Sequence, residues 1–323
     1  MIIAGDIGGT HTRMGAFSGS PASLKLDRWQ EFKSKNYPSM EKIVEEFVTA
    51  GQGKPEAFCF GVAGPVVDGK ARPTNLTWEL DAARMTETLG ARVVLINDLE
   101  ANAYGVATLG KEDLATLQAG AEREPGNAAV ISAGTGLGEA GLFWDGANHR
   151  PFASEGGHCT FSPQSDVEVE LFQFLHKKFA DHVSWERVLS GPGLYNVYQF
   201  FRDTGRAAEE PWLAGQIASG DPAAIISDNA IHGRSDLCEK AVDLFVSLYG
   251  SEAGNLALKL LSVAGIYIGG GIAPRILGKL KEGPFLQAFL AKGRMRAVLE
   301  RIPIYVITND KTALQGAARR GML

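Results

Sequence analysis

The chain has 323 residues, which is long for one domain and sufficient for two packed lobes. Hydrophobic residues make up 45% and charged residues 21%, and the net charge of −5 argues against a nucleic-acid or anionic lipid partner, since both favour a basic face. No apolar stretch reaches membrane-spanning length, and Asp6 interrupts the apolar N-terminal run, which does not resemble a signal peptide. The three cysteines lie far apart with no Cys-x-x-Cys, which excludes a disulfide framework or cysteine zinc site and predicts a cytoplasmic location.

The first part of the chain predicts three strands followed by alternating helices and strands. Residues 1–5 and 13–17 are strands on either side of the glycine-rich turn "GDIGGT", and 27–32 predicts a third strand. A stretch of loop and turn follows residue 63. The other predicted elements are a helix from Ser39 to about Ala50, a buried strand at 57–63, a helix at 82–89, a strand at 92–96 and a helix starting just past Asp98.

A second copy of this order is indicated 126 residues further along the chain. In "VISAGTGLGEAGLF" (130–143) an apolar strand, a glycine turn and a second apolar strand recur, so that Gly134 matches Gly8 and Phe143 matches Phe17. The alternation then resumes with a strand at 263–271, a helix opening near Pro274, a strand at 302–307 and a helix at 312–320.

These elements predict an α/β fold of two βββαβαβα lobes that flank a cleft. Helices between successive strands favour parallel pairing, whereas each glycine turn favours an antiparallel hairpin. We expect residues 1–110, completed by 308–323, to form the smaller lobe and 111–307 to form the larger one.

The two glycine turns are candidate phosphate-binding sites. Without Cβ atoms, backbone N–H groups can approach a ligand closely, and two facing turns could hold a polyphosphate from both sides. Asp6 would repel phosphate unless a divalent cation lay between them, which predicts Mg²⁺ held through water. The alternative, that both are simple hairpin turns, is weakened by their matching positions. The candidate residues are Gly8, Gly9, Thr10, Gly134, Thr135 and Gly136.

Six motifs carry a resemblance to a known family, in that family's order. "GDIGGTHTR", "SAGTGLG" and "IGGGIAPR" resemble the phosphate and adenosine motifs of sugar kinases in the actin-like (ribonuclease H-like) ATPase superfamily. "INDLEANAYG", "EGGH" and "ERVLSGPGLYN" narrow the resemblance to the bacterial glucokinases, and the matches run to about Arg320. The related repressor/kinase (ROK) group has a cysteine-rich zinc motif after its Gly-His, and some of its members have an N-terminal helix-turn-helix domain that binds DNA. Here "CTFSPQSD" follows His158 and no such domain is expected before Met1.

The resemblance implies a role for two residues at the end of a strand. Asp98 would be the catalytic base, which takes the proton of the sugar's primary hydroxyl as that hydroxyl attacks the γ-phosphate, and Asn97 would bind a sugar hydroxyl. The alternative is that Asp98 is only a helix N-cap.

Other motif residues are implied to bind the sugar or the nucleotide. Glu155 and His158 in "SEGGH" would bind sugar hydroxyls, although a glycine turn with a solvated glutamate and a packed histidine is the alternative. Glu186 would be a further sugar ligand rather than a surface salt-bridge partner. Asn75 matches a segment of the same pocket. The residues implied to lie against adenine or ribose, unless they form only a tight turn, are Gly269, Gly270 and Gly271.

The sequence therefore predicts an ATP-dependent glucokinase that makes glucose 6-phosphate and ADP with Mg²⁺. Sugar binding should close the cleft and exclude water. The alternatives are a kinase for mannose, fructose or an N-acetylhexosamine, and a non-catalytic sugar or nucleotide switch on the same fold. The resemblance also implies a homodimer.

Overall fold

The elements are taken from a computed structural model that describes residues 1–51, 53–73, 76–121 and 125–323. Its strands are β1 (Ile2–Ile7), β2 (His11–Ser20), β3 (Ser23–Lys33), β4 (Ala57–Val62), β5 (Val66–Val67), β6 (Lys70–Ala71), β7 (Leu80–Asp81), β8 (Arg92–Asn97), β9 (Leu114–Gln118), β10 (Ala128–Ala133), β11 (Leu137–Trp144), β12 (His149–Ser154), β13 (Gly265–Gly269) and β14 (Ile304–Ile307). Its helices are α1 (Met40–Thr49), α2 (Ala82–Leu89), α3 (Asp98–Val106), α4 (Asp166–Lys178), α5 (Gly191–Asp203), α6 (Pro211–Ser219), α7 (Pro222–Ile231), α8 (Asp236–Leu260), α9 (Leu277–Lys281), α10 (Pro284–Leu290), α11 (Arg296–Leu299) and α12 (Thr312–Met322).

The chain folds as two compact units. The first comprises Met1–Asp113, Arg150–Ala153 and Asn309–Leu323, and the second comprises Leu114–His149 and Ser154–Thr308. One large sheet has the strand order β3-β2-β1-β4-β8 and the other has the order β12-β11-β10-β13-β14-β9. In each, the central strand pairs antiparallel with its hairpin partner and parallel with the strand on its other side. The predicted α/β class is confirmed.

The internal repeat is offset by 126 residues in its first strand but by 125 in its second. Ile7 pairs with Thr12 across the first turn, whereas Ala133 pairs with Leu137, so the second turn is one residue shorter. Because side chains alternate between the faces of a strand, a slip of one residue reverses the face.

The predicted match between Phe17 and Phe143 is therefore wrong. Phe17 is fully buried, and the register pairs it with Ile2. In the second hairpin the corresponding pair is Ala128 and Leu142, and Leu142 is buried. Phe143 is 53% exposed, because it follows the equivalent position by one residue.

Other details also differ from the predictions. β1 extends to Ile7, so Asp6 lies within the strand. The segment after residue 63 contains a small antiparallel sheet of β5, β6 and β7. The helix predicted near Pro274 begins at Leu277, because the preceding turn closes on the Ile272 carbonyl and the backbone leaves helical geometry at Ile276 (φ −98°, ψ 22°).

Glycines bring α12 against α3 in the first unit. A Cβ on Gly316 would overlap the carbonyl of Ala101, and one on Gly105 would overlap the backbone of Thr312. The two helices therefore pack with their backbones in contact, which supports α3 behind its first residue, Asp98. Within the described ranges, no helix is long and apolar enough to cross a bilayer.

Candidate active site

The carboxyl ends of β1 and β8 bring Asp6 and Asp98 to one edge of the first unit's sheet. Asp6 is aligned with Gly61 of β4, and Gly61 is aligned with Ile96 of β8, so Asp98 lies two residues beyond the row of Asp6. Neighbouring strands are about 4.8 Å apart, which separates the two outer strands of this row by about 10 Å. The carboxyl ends of parallel strands are where α/β folds place ligands.

The first glycine turn is held from behind by Ser34, which the sequence analysis did not identify. The Ser34 hydroxyl donates to the Gly8 carbonyl (2.8 Å) and lies 3.0 Å from the Thr12 hydroxyl. Its backbone N–H donates to the Thr10 carbonyl (3.0 Å). Ser34 and Thr12 are fully buried, whereas Thr10 is exposed beside the half-buried Gly9. These hydrogen bonds use the carbonyl groups of Gly8 and Thr10 as acceptors. No sequence pattern predicts this role of Ser34, because a serine that follows a strand is common.

Asp6 carries a charge that its surroundings offset only in part. Burial raises the pKa of its carboxyl, and the Arg13 guanidinium partly counters that rise. Arg13 also bonds the Glu31 carboxylate (2.9 Å) and the Asp310 carbonyl (3.0 Å). Among the described residues no cluster of three His, Cys, Asp or Glu side chains could hold a metal. One carboxylate suits Mg²⁺ bound through water, with the remaining ligands coming from phosphate oxygens.

Asn97, and not Asp98, is the N-cap of α3. Asn97 Oδ1 accepts hydrogen bonds from the backbone N–H groups of Leu99 (2.8 Å) and Glu100 (3.4 Å), and its amide nitrogen donates to the Gly64 carbonyl (3.0 Å). The alternative that Asp98 only caps the helix is therefore wrong. Asp98 is the first helical residue, and its Oδ1 accepts from Leu99 N–H at 3.0 Å. A negative charge at this position interacts favourably with the N-terminal end of the helix dipole.

In the second unit, Glu155 and His158 lie at the two ends of a short turn packed on β11. The turn is a 3-10 helix, Gly156–His158, in which His158 N–H donates to the Glu155 carbonyl (3.0 Å). A Cβ on Gly157 would overlap the Leu137 carbonyl, so the glycine allows close packing on the strand. The side chains of Glu155 and His158 are exposed and their polar ends are 3.7 Å apart. Both are therefore available to a ligand, and the packed-histidine alternative is not what the structure contains.

Glu186 lies against the second glycine turn. Its Oε2 accepts a hydrogen bond from the backbone N–H of Leu137 (3.0 Å), and a Cβ on Gly136 would lie 2.6 Å from the same oxygen. Leu137 thus contacts both Glu186 and the turn of Glu155 and His158. This carboxylate is held by the backbone of the turn and is not a surface salt-bridge partner.

Backbone pairing explains how these residues meet. The segment after His158 runs antiparallel to the segment before Glu186, with a bridge between Thr160 and Ser184. Trp185 N–H donates to the Cys159 carbonyl at 2.9 Å. The structure therefore brings Glu155, His158 and Glu186 together around the start of β11. Asn75 lies outside the described residues.

A cavity of about 400 Å³ opens beside the second glycine turn. The N-termini of α5 and α7 reach it, each with a proline in its first turn and a capping Ser190 or Asp221 before it. Helix N-termini favour anions, and the apolar walls suit a flat base. Its lining includes Thr135, Pro192, Tyr195, Ala223, Ile272 and Arg275.

The glycines near this cavity differ in what they face. Gly134 and Gly271 line the cavity, and a Cβ on either would meet no atom within 4 Å. Gly270 has φ of +82° and packs on the Ala133 carbonyl, while Gly269 packs on Ser132. Gly134 and Gly271 are therefore the glycines of these two motifs that are open to a ligand in this cavity.

The cavity residues of α5 and α7 were not predicted from sequence, although a signal was present. A Ser or Asp followed within two residues by proline is a helix-start pattern, and it occurs at Ser190 and Asp221. That pattern places helix N-termini but does not show that they meet.

Comparisons with known proteins agree with this architecture. The family model described as Glucokinase matches residues 3–322. A glucokinase of Nostoc punctiforme is 42% identical, with 98% of each chain covered. The solved structure of a glucokinase from an Antarctic psychrotroph has a TM-score of 0.86 at 31% identity, covering 99% of this chain and 98% of that one.

A more distant match concerns the fold. The structure of a ROK family glucokinase from Streptomyces griseus, in complex with glucose and AMPPNP, has a TM-score of 0.66 at 22% identity, covering 99% of this chain and 98% of that one. The predicted family and the actin-like fold class are confirmed. The chain belongs to the glucokinase family.

Proposed function

We propose that this chain transfers the γ-phosphoryl group of ATP to the 6-hydroxyl of glucose. The observation that carries the proposal is the convergence of Glu155, His158 and Glu186 around the start of β11, beside a turn suited to phosphate. A sugar is recognised by donors and acceptors matched to its hydroxyl groups, and these side chains supply both. Membership of the glucokinase family supports glucose over other hexoses.

Asp98 acts in this proposal as the base that accepts the proton of the 6-hydroxyl. Phosphoryl transfer depends mainly on positioning and on neutralising the charge of the phosphates. A positioned base typically adds about 10²–10⁴ to the rate. Asn97 bonds a sugar hydroxyl and keeps α3 capped next to the base.

The nucleotide is proposed to lie in the cavity of the second unit. Adenosine occupies the space between Tyr195, Ile272 and Gly271, and the phosphates extend to the glycine turn at Gly134. Asp6 would hold Mg²⁺ through water, and the bound ion would neutralise charge on the phosphates.

The test is ADP release by the purified protein with Mg²⁺-ATP, with and without glucose, beside mannose, fructose and N-acetylglucosamine. Release that depends on glucose, well above that with the other sugars, is expected. Strong release with another hexose alone would change the substrate and keep the mechanism. Release without sugar dependence would refute the kinase and favour a nucleotide switch.

Two further expectations concern assembly, from the family resemblance, and location, from the cysteine spacing. We expect a homodimer, which light scattering of the purified chain would test, and a monomer mass would contradict it. We expect a cytoplasmic location, which fractionation of the source cells would test.

A further inference from the structure

Two buried glutamates form a pair directly behind the turn of Glu155 and His158. Glu139, on β11, is 1% exposed and Glu252, on α8, is fully buried. The two side chains interact in the interior, where burial and the neighbouring Glu252 carboxylate raise the pKa of Glu139. Two carboxyls in an apolar interior share a hydrogen bond only when one of them is protonated.

Glu139 touches the turn itself. Its Oε2 occupies the space that a Cβ on Gly156 would need. Its Oε1 is buried without a hydrogen-bond partner. Gly156 is the first residue of the 3-10 turn, and it lies between Glu155 and His158 in sequence. A movement of the Glu139 carboxyl therefore changes the packing against the backbone that connects Glu155 and His158.

A lysine and an asparagine contact Glu252. Lys259 Nζ lies 3.0 Å from Glu252 Oε1, and Asn255 donates to Glu252 Oε2 at 2.7 Å. Burial and then Glu252 raise the pKa of Glu139 to about 8, while Lys259 lowers it. Glu139 therefore keeps its proton to a higher pH than an exposed glutamate does.

The other titratable groups that interact with the pair or with Lys259 include a phenol, a thiol and a second lysine. The phenol of Tyr249 faces Glu139, and burial raises its pKa so that it stays neutral. The Cys159 thiol faces Lys259. Lys292 bonds Ser251 (3.3 Å) and interacts with Glu252 and with Glu168 of α4.

We propose that Glu139 is a positioning residue for the sugar-binding turn, with one proton shared by Glu139 and Glu252 holding the carboxyl under Gly156. When the proton is lost to water, the hydrogen bond between the carboxyls is lost and two like charges repel behind the turn. Sugar binding then weakens while nucleotide binding persists. This inference rests on the proposed function, because it assumes that Glu155 and His158 bind the sugar.

The experiment measures the KM values for glucose and ATP from pH 6 to pH 9.5. If only the protonated pair binds sugar, the glucose KM of the wild-type protein rises about tenfold between pH 7 and pH 9, and the ATP KM does not follow it. Glu139→Gln keeps the size of the side chain, donates to Glu252 at every pH and should have a flat alkaline profile. Wild-type and Glu139→Gln proteins with the same alkaline profile would overturn the proposal.

A control replaces the buried Glu168 of α4, which shares the neighbour Lys292 with Glu252. Glu168 is 6% exposed and accepts from Gln164 N–H at 2.6 Å, so Glu168→Gln should keep the alkaline rise. A flat profile for this control would overturn the assignment to Glu139. If Glu139→Gln does not fold, Glu252→Gln provides the same test, because it too removes the titration of the pair.

Thermal unfolding supplies a second readout. A carboxyl whose pKa is raised from 4.5 to about 8 by folding holds its proton only in the folded chain within that window. The contribution of this carboxyl to the free energy of unfolding is therefore largest below pH 4.5 and is lost as the pH rises to about 8. The unfolding midpoint of Glu139→Gln should fall less over this range, and an equal slope would count against the pair.

Failure of the proposed function can be told apart from failure of this inference. Glu155→Gln at pH 7 should raise the glucose KM and leave the ATP KM unchanged. An unchanged glucose KM would refute the proposed sugar site and also the inference that rests on it. A raised glucose KM together with no effect of Glu139→Gln on the pH profile would overturn the inference alone.

Discussion

Gly136→Ala should separate sugar binding from nucleotide binding, because the space for its Cβ is occupied by Glu186. The Cβ would lie 2.6 Å from Glu186 Oε2, whereas ordinary contacts begin at 3.4 Å. Neither Gly136 nor Gly134 has a left-handed backbone, so alanine is not strained by φ at either position. The carboxylate must move by about 0.8 Å.

The expected magnitude follows from the bond that this movement breaks. Glu186 accepts from Leu137 N–H at 3.0 Å, and a hydrogen bond to a charged group contributes about 1.5–3 kcal/mol. Since about 1.4 kcal/mol corresponds to tenfold, kcat/KM for glucose should fall roughly 10- to 100-fold. The KM for ATP should change by less than about threefold, because the substitution adds no atom to the nucleotide cavity.

The matched control is Gly134→Ala in the same turn. Its Cβ meets no protein atom within 4 Å and projects where the cavity begins, so we expect a raised ATP KM and little change for glucose. In a Glu186→Ala background, adding Gly136→Ala should lower kcat/KM for glucose by no more than about twofold, because the carboxylate oxygen that the new Cβ would displace is no longer present. Equal effects of both glycine variants on both substrates, in proteins that melt normally, would refute the reasoning.

Three further substitutions test the site and its support. Asp98→Asn should lower kcat by roughly 10²–10⁴ while glucose still binds in an equilibrium titration, and near-normal turnover would exclude Asp98 as the base. Ser34→Ala leaves the buried Thr12 hydroxyl without its partner, so it should lower the unfolding free energy in urea by about 1–3 kcal/mol and raise the ATP KM. Ser34→Thr should recover part of both losses. An unchanged ATP KM would show that Ser34 contributes to stability only. Tyr249→Phe leaves the buried Ala133 N–H, which donates to the phenol at 3.1 Å, without its acceptor and should cost about 1–3 kcal/mol of unfolding free energy; a loss below about 0.5 kcal/mol would contradict that accounting.

Much of the fold was readable because its signals are local. Apolar runs that end at glycine predicted the central strands, and polar residues at the end of β8 placed Asn97 and Asp98 at the start of a helix. Apolar periodicity and glycine influence the conformation of only a few neighbouring residues, so the order of the elements can be predicted without tertiary information. The resemblance of six motifs then identified the family from residues that the chemistry needs.

The details that went wrong depend on single-residue shifts. Asn97 and Asp98 can both cap a helix, and only the backbone conformation decides which one does. The one-residue difference between the glycine turns leaves no mark on composition, but it determines that Leu142 is buried and Phe143 is exposed.

By itself, the sequence determined the two hairpin and strand series, the glycine turns, and the residue types that suit sugar and phosphate. Only the tertiary structure decided that the segment after His158 pairs with the segment before Glu186, that α5 and α7 meet at one cavity, and that Glu139 lies under Gly156. The physical reason is that distant segments are joined by backbone hydrogen bonds, which almost any residue can make, and by close packing, which any small residue allows. Such contacts leave no residue signature in the chain.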